Sequence, residues 1–393
     1  MDQPALSRRA ILAGGAAALA LPRIGRAAAD SFKIGALLPL SGPQASDGQV
    51  QRDAFRLYMD QIGWQAGGRK IELIEADDEM KPPVGLQKTR RLVESDKVDL
   101  LIGPVSSAIA IAMVDYVKQS KVTWICSGAG IASITREKLI PNVFRTSCTT
   151  WQTNAPIGAW CPEHVGKRAV LMASDYAGGR DTLAEFKAAF VARGGQVVGE
   201  IYPPLGNKDF LPYLSDVKSG KPDFVFAFFS GVDTIAFLQQ YDQSGLKASI
   251  PLACNGFTTQ EQALDEVGDA ALGITASLHY TAAYDGEVNR RFVKTFQEKF
   301  KKRANYAAEY GYVAAQVIAE ALNKAGGKTD DREQWAEAIL GVAFEAPRGP
   351  FRFDPKTHNV INRAYLTKVE KVDGVLQNVP IQIIENVKDP GAA

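Results

Sequence analysis

Residues 31–48 read SFKIGALLPLSGPQASDG. The apolar run at 34–38 predicts a short strand, and Ser41-Gly42-Pro43 predicts a turn. Beyond the turn, Val50, Ala54, Leu57, Tyr58 and Ile62 fall on one face of a helix. Strand, small polar residues, helix: the same unit recurs outward from here. Strands are expected at 71–75, 98–102 and 122–126, with helices at 86–94 and 108–118 between them. Such alternation predicts a mainly parallel sheet with helices on both faces.

The theme then restarts. Strands are expected at 169–173, 197–201, 224–229, 250–254 and 274–278, with helices at 180–192, 210–217 and 234–243. After His279 the pattern turns helical at 287–301, 308–324 and 331–340, then strand-like at 351–353 and 364–370. A helical block of that length needs a sheet to cover. The chain is therefore expected to return to the first lobe near His279 and to cross again at 354–360, making a hinge of several strands. The expected division is 30–148 with 279–357 as lobe 1, and 149–278 with 358–393 as lobe 2. Arg145, at the first expected crossover, reads as a hinge residue.

Ahead of the first strand, Ser7-Arg8-Arg9-Ala10-Ile11-Leu12 matches a twin-arginine export pattern. A short apolar run at 10–21 and Ala27-Ala28-Ala29 complete an expected signal peptide over residues 1–29. Its loss removes Arg8, Arg9, Arg23, Arg26 and Asp2, so the 45 basic and 44 acidic residues become 41 and 43. Near-neutral charge without a basic run argues against nucleic acid or anionic lipid as a partner. No later stretch reaches the roughly 20 apolar residues of a membrane span, so a mature chain without a span, working in the periplasm, is expected. Cys126, Cys148, Cys161 and Cys254 show no C-x-x-C spacing. They read as buried thiols, and Cys148 with Cys161 is the pair to test for a disulfide.

In open parallel sheets, ligands bind beyond the carboxyl ends of the strands, where helix N-termini offer free N–H groups. Here those ends carry Ser41-Gly42, Ser106-Ser107 and Gly128-Ala129-Gly130 in the first lobe. In the second they carry Asp175-Tyr176, Ser230-Gly231 and Asn255-Gly256. Glycine permits close approach of the backbone, and serine next to free N–H groups suits a carboxylate. Ser106 and Ser107 are the first candidates for an anion site, with helix capping as their ordinary alternative. Tyr176 is placed to stack on a flat or apolar ligand.

Seven stretches carry a family resemblance: LLPLSGP with Gly48 after it, LLIGPVSS at 100–107, ICSGAG ending at Gly130, VFRTS at 143–147, ASDYAGG at 173–179, DFVFAFFSG at 223–231 and FRFDPKTHN at 351–359. In this order and spacing they resemble the branched-chain amino acid type of ABC-transporter solute-binding protein over nearly the whole mature chain. The resemblance implies a type I periplasmic-binding-protein fold: two α/β lobes, each a mainly parallel sheet flanked by helices, joined by a multi-strand hinge. It implies a ligand carboxylate held by Ser106, Ser107, Gly128 and Gly130, closed over by Tyr176, with Ser230 and Asn255 lining the second lobe. It further implies a monomer that binds without cofactor or metal and delivers its ligand to ABC permease subunits.

Three positions depart from amino-acid-binding relatives, where a threonine, an aromatic and an acidic residue commonly align with Gly130, Asp47 and Asn255. A buried ammonium needs a carboxylate or several strong acceptors, and Asn255 offers a neutral carbonyl. An aromatic or other hydrophobic acid then fits better than leucine, and Trp151, Phe228, Phe229 and Phe257 are compatible with it. Asp47 or Asp175 as the missing charge keeps a branched-chain or other hydrophobic amino acid open.

An enzyme is the competing class. Ser127 lies in CSGAG, which is not G-x-S-x-G, and there is no Walker A or strand-linked G-x-G-x-x-G. His164, His279 and His358 lack metal-ligand spacing, and Asp77-Asp78-Glu79 reads as an acidic turn. A ligand-sensing module of the same fold is the other alternative.

Overall fold

The computed structural model describes residues 31–136 and 139–391, so the expected signal peptide lies outside the described residues. The first half contributes β1 (Phe32–Leu38), β2 (Gln65–Ala66), β3 (Arg69–Asp77), β4 (Leu100–Ile102), β5 (Thr123–Cys126) and β6 (Val143–Arg145). They form one sheet in the order β2-β3-β1-β4-β5-β6, parallel except for the β2-β3 hairpin. β1 and β4 are almost wholly buried, as continuous apolar strands must be when helices cover both faces.

The second sheet takes β7 (Arg168–Ala173), β8 (Gln196–Ile201), β9 (Phe224–Phe228), β10 (Leu252–Asn255) and β11 (Thr275–Leu278). The chain then forms helices Glu287–Phe300, Tyr306–Lys324 and Arg332–Leu340 and a hairpin of β12 (Ala343–Ala346) with β13 (Gly349–Arg352). Val313, Ile318, Leu322 and Trp335 from this block share a core with Phe32, Ile34 and Ile102 of the first sheet. Finally β14 (Asn362–Val372) and β15 (Val375–Val387) return to the second sheet, whose order is β15-β14-β11-β10-β9-β7-β8. β14 runs antiparallel to β11, and β15, antiparallel in turn to β14, closes that edge. The architecture is the two-lobed α/β fold with two mainly parallel sheets.

Helix Thr150–His164 is absent from the expectation drawn from sequence. It holds Pro156 and Pro162 and buries Gln152, Thr153 and Asn154 along with its apolar residues, which erases the usual amphipathic stripe. Its readable signal is the capping box, in which Thr149 and Gln152 exchange hydrogen bonds. β15 is likewise unforeseen, since Pro380 and several polar residues interrupt its alternation.

Three passages between the sheets meet at one buried cluster. Arg348 and Glu309 form a two-point ion pair with both contacts at 2.5 Å. Arg348 also donates to the Thr146 carbonyl at 2.9 Å and to Asn362 Oδ1 at 3.1 Å. His279 Nε2 lies 3.2 Å from Glu309 and its ring stacks on Tyr310. The Cys148 N–H donates to the Tyr310 hydroxyl, and Asn362 Nδ2 to Cys148 Sγ. Residues 146–148, 279 and 362 are thus tied to a single charge pair. All four cysteines are free and buried, Cys148 and Cys161 included.

Candidate functional site

The carboxyl ends of β4, β5, β7, β9 and β10 converge on a small cavity of about 40 Å³ between the two sheets. From the first side it is lined by Gln44, Val105, Ser107, Gly128, Gly130 and Tyr306. From the second come Thr150, Tyr176, Gly178, Thr182, Phe228, Ser230 and Phe257.

Three helix starts contribute to the lining. Ser107 opens helix Ser107–Ser120, Thr150 opens helix Thr150–His164, and Gly178 is the second residue of helix Ala177–Ala192. Each start carries backbone N–H groups with no partner inside its helix and a partial positive charge. Ser106 is the N-cap of the first helix but its side chain makes no capping bond. No Lys, Arg, Asp or Glu lines the cavity, so an anion here is met by dipoles and hydroxyls rather than by a formal charge.

Gly128 is required by packing: a Cβ there would lie 2.8 Å from the Pro104 carbonyl oxygen. The loop that carries Gly128 and Gly130 is held from behind by Arg145. This buried guanidinium donates to the carbonyls of Ala129 and Ile131, the latter at 2.8 Å, and to Asn359 Oδ1 at 3.1 Å. Arg145 is therefore a positioning residue of the cavity loop as well as a neighbour of the crossover.

Aromatic rings make the walls. Tyr306 and Phe257 lie 4.4 Å apart, Phe257 and Phe228 6.0 Å, Phe228 and Tyr176 6.4 Å. The two sides touch directly: Gln44 Nε2 donates to Ser230 Oγ at 2.6 Å, and the Val232 N–H to the Pro43 carbonyl at 3.4 Å. Gly231 has a positive φ of 62°, and a Cβ on it would strike the Pro43 oxygen at 2.3 Å. Arg136 adds ion pairs to Glu185 at 2.6 Å and Asp389 at 2.9 Å. A cavity of roughly 150 Å³ takes one benzene, so a ring-bearing ligand enters only when the sides part.

Among the residues expected from sequence, Ser107, Gly128, Gly130, Tyr176 and Ser230 line the cavity, and Ser106 caps the helix beside it. Asn255 needs correction. It is fully buried and does not line the cavity; its Nδ2 donates to Thr153 and Asn154 and its Oδ1 accepts from the Phe257 N–H. The Nδ2 end braces helix Thr150–His164 and the Oδ1 end holds the turn at Phe257, so both ends of the amide are taken by the protein. Asp47 is also fully buried and outside the lining, with the Tyr306 hydroxyl beside it; burial pushes its carboxyl up to about 6.

Phe228 and Phe257 reach the cavity, whereas Trp151 and Phe229 do not. Gln44, Thr150, Thr182 and Tyr306 were missed. Gln44 follows the opening turn directly, and the capping box at Thr149 marks Thr150. Tyr306 arrives from helix Tyr306–Lys324, 156 residues beyond Thr150, and no local pattern announces that.

Other chemistry is accounted for by structure. Asp77 Oδ1 accepts from the Leu40, Ser41 and Glu79 N–H groups, which makes the acidic stretch a turn clamp. Among the described residues no cluster has metal-ligand character, and no helix is long and apolar enough to cross a membrane. A larger cavity of about 250 Å³, floored by Phe144 and Trp335, lies at the amino ends of β5 and β6. No strand carboxyl end feeds it, so the smaller cavity is the better candidate.

Residues 31–374 match the family described as "Periplasmic binding protein". A Leu/Ile/Val-binding protein homolog 6 from Brucella melitensis is 34% identical over 92% of this chain and 94% of its own length. A solute-binding protein of an ABC transporter from Rhodopseudomonas palustris BisB5, solved with 3,4-dihydroxy benzoic acid, is 37% identical with a TM-score of 0.87 over 92% of this chain and 99% of that one. A second R. palustris solute-binding protein, solved with benzoate, is 33% identical with a TM-score of 0.87 over the same shares.

Proposed function

Since the chain belongs to the periplasmic binding protein family and is a solute-binding protein of the ABC-transporter type, we propose that its ligand is an aromatic or similarly hydrophobic carboxylate. The lobes close on it, and the closed form delivers it to the permease of an importer. The observation that carries this reading is the cavity lining itself: three helix starts with hydroxyls at one end, aromatic walls, and no charged side chain. A carboxylate is satisfied there by N–H and O–H donors, while an ammonium would find no carboxylate in contact. The R. palustris proteins solved with benzoate and 3,4-dihydroxy benzoic acid support it. Ser107, Gly128 and Gly130 take the carboxylate, and Tyr176 and Ser230 close from the other side.

Ligand contacts from both lobes favour the closed form, so binding and closure are one equilibrium. The reading includes a monomer exported by the twin-arginine route, with 30–148 and 279–357 as one lobe and 149–278 and 358–393 as the other. A hydrophobic amino acid is the second reading, favoured by the name of the Brucella relative and by the carboxyl of Asp47 one layer behind the cavity.

A thermal-shift panel of benzoates, leucine, phenylalanine and amides, followed by calorimetry, tests the proposal. A ligand at a hundred times its Kd stabilises by about 2.7 kcal/mol. Benzoates are expected to raise the melting temperature and leucine to leave it unchanged. Ser107→Ala should weaken benzoate about tenfold, the size of one hydrogen bond to a charged group, with the unliganded melting temperature retained. A shift with leucine alone would establish the second reading, and turnover of any compound would establish an enzyme.

A further inference from the structure

The polar groups around the cavity differ in hydrogen-bonding sense. The helix starts offer donors and hydroxyls. Beside Tyr176 and Tyr306, buried acceptors fall short of a donor: Gln44 Oε1 and both oxygens of Asp47 meet no full hydrogen-bond geometry, on residues 3% and 0% exposed. Gln44 lines the cavity and its Nε2 is already given to Ser230. Asp47 stands behind Tyr306, whose hydroxyl is directed at the carboxyl although neither oxygen meets full hydrogen-bond geometry. Asp233 flanks Tyr176 from the second side; Ser174 and Gly206 hold its Oδ2, and its Oδ1 is unpartnered.

Buried acceptors are normally satisfied, and one left without a donor is costly. One such atom on the cavity wall, Gln44 Oε1, with the Asp47 and Asp233 carboxyls in the layer behind, marks where a ligand's donor belongs. The Tyr306 phenol stays protonated, because burial and the neighbouring Asp47 raise its pKa well above the ordinary value. It can therefore give its proton to Asp47 and accept a hydrogen bond on the same oxygen.

We propose that the ligand carries a neutral hydroxyl on the side of its ring away from the carboxylate, and that Gln44 Oε1 and the Tyr306 hydroxyl, backed by Asp47, receive its hydrogen bond. This rests on the aromatic-carboxylate reading and narrows it to hydroxylated aromatic acids. A hydroxyl fits better than an ammonium because Asp47 does not reach the cavity. It fits better than a second carboxylate because Asp47 and Asp233 both lie near enough to act on Tyr176 in the cavity wall.

The test is calorimetry of the purified protein with benzoate, 4-hydroxybenzoate, 4-methoxybenzoate, terephthalate, phenylalanine and tyrosine. The expected result is 4-hydroxybenzoate binding about tenfold or more tighter than benzoate, with the methyl ether and terephthalate weaker than either. Tyr306→Phe should abolish the preference for the hydroxyl and Asp47→Asn should reduce it, read as the ratio of 4-hydroxybenzoate to benzoate affinity on each variant. The series on the unmutated protein decides the matter if either variant fails to fold. Equal binding of benzoate and 4-hydroxybenzoate, or tightest binding of terephthalate, would overturn the inference and leave the aromatic-carboxylate reading intact. Tightest binding of an amino acid, or binding of no aromatic acid, would remove both.

Discussion

The hinge and the cleft both bury polar groups, and they treat them in opposite ways. At the hinge, Arg348 and Glu309 neutralise one another with two contacts, and the remaining donors of the guanidinium go to Thr146 and Asn362. In the cleft, Gln44 keeps Oε1 without a donor, and Asp47 behind it has only the Tyr306 hydroxyl beside its carboxyl. The difference teaches how to separate frame from site without a ligand in view. Buried charge matched by several partners holds segments of chain in register, while an unmatched acceptor on a cavity wall is a place for a group from outside.

Breaking the hinge gives the largest expected effect. Arg348→Ala leaves Glu309 buried with only His279 beside it, and removal of one partner of a buried pair costs about 3–5 kcal/mol. A fall of that size in stability to urea, read by tryptophan fluorescence, is expected. Arg348→Met combined with Glu309→Leu should lose less than Arg348→Ala, because no uncompensated charge remains. A single variant that loses under about 1 kcal/mol would show that the pair does not hold the crossovers.

The same contrast has a pH signature. Burial lifts the Asp47 carboxyl to about 6, above its unfolded value, so between roughly pH 4 and 6 the folded protein holds a proton that the unfolded chain releases. Its ionised form therefore weakens the unliganded protein above pH 6, and this penalty fades as pH falls toward 4. His279 at the hinge runs the other way: burial and Arg348 lower it to about 4, so acid between about pH 6.5 and 4 charges the unfolded chain first and costs stability. Asp47→Asn removes only the first effect. It should stabilise the unliganded protein by roughly 2–3 kcal/mol at pH 7.5, with no gain below about pH 4, in melting curves across pH. A gain independent of pH would mean that the carboxyl is not buried in its charged form.

Residue by residue, the sequence discloses the strand ends well and their meeting poorly. The opening turn, Ser107, Gly128, Gly130, Tyr176 and Ser230 are legible because each follows its own apolar strand, and the parallel-sheet rule places all such ends on one side. Asn255 ends a strand too, yet its amide turns toward Thr153 and Asn154. Those partners lie on a helix that prolines and inward polar residues hide from any periodicity argument. Tyr306 is hidden for another reason: it reaches the cavity only because the chain returns to the first sheet after Leu278, and tertiary return paths leave no local mark. The aromatic-acid expectation was argued from Asn255, but the lining that now supports it is the uncharged rim and the Gln44–Tyr306 end.

The smallest expected effect separates closing the cleft from reading the ligand. Ser230 and Gln44 bond across the lobes at 2.6 Å, so Ser230→Ala removes a contact that exists only when the sides are together. In the open form both groups turn to water, so the stability of the unliganded open protein should be unchanged. A neutral hydrogen bond contributes about 1 kcal/mol net, so every ligand should bind roughly fivefold more weakly, mainly through faster release. Because closure is common to all ligands, benzoate and 4-hydroxybenzoate should lose affinity equally, which is what distinguishes this variant from Tyr306→Phe. Stopped-flow release rates that rise for the hydroxylated acid alone would place Ser230 with the ligand-reading end, and the division between latch and reader would have to be redrawn.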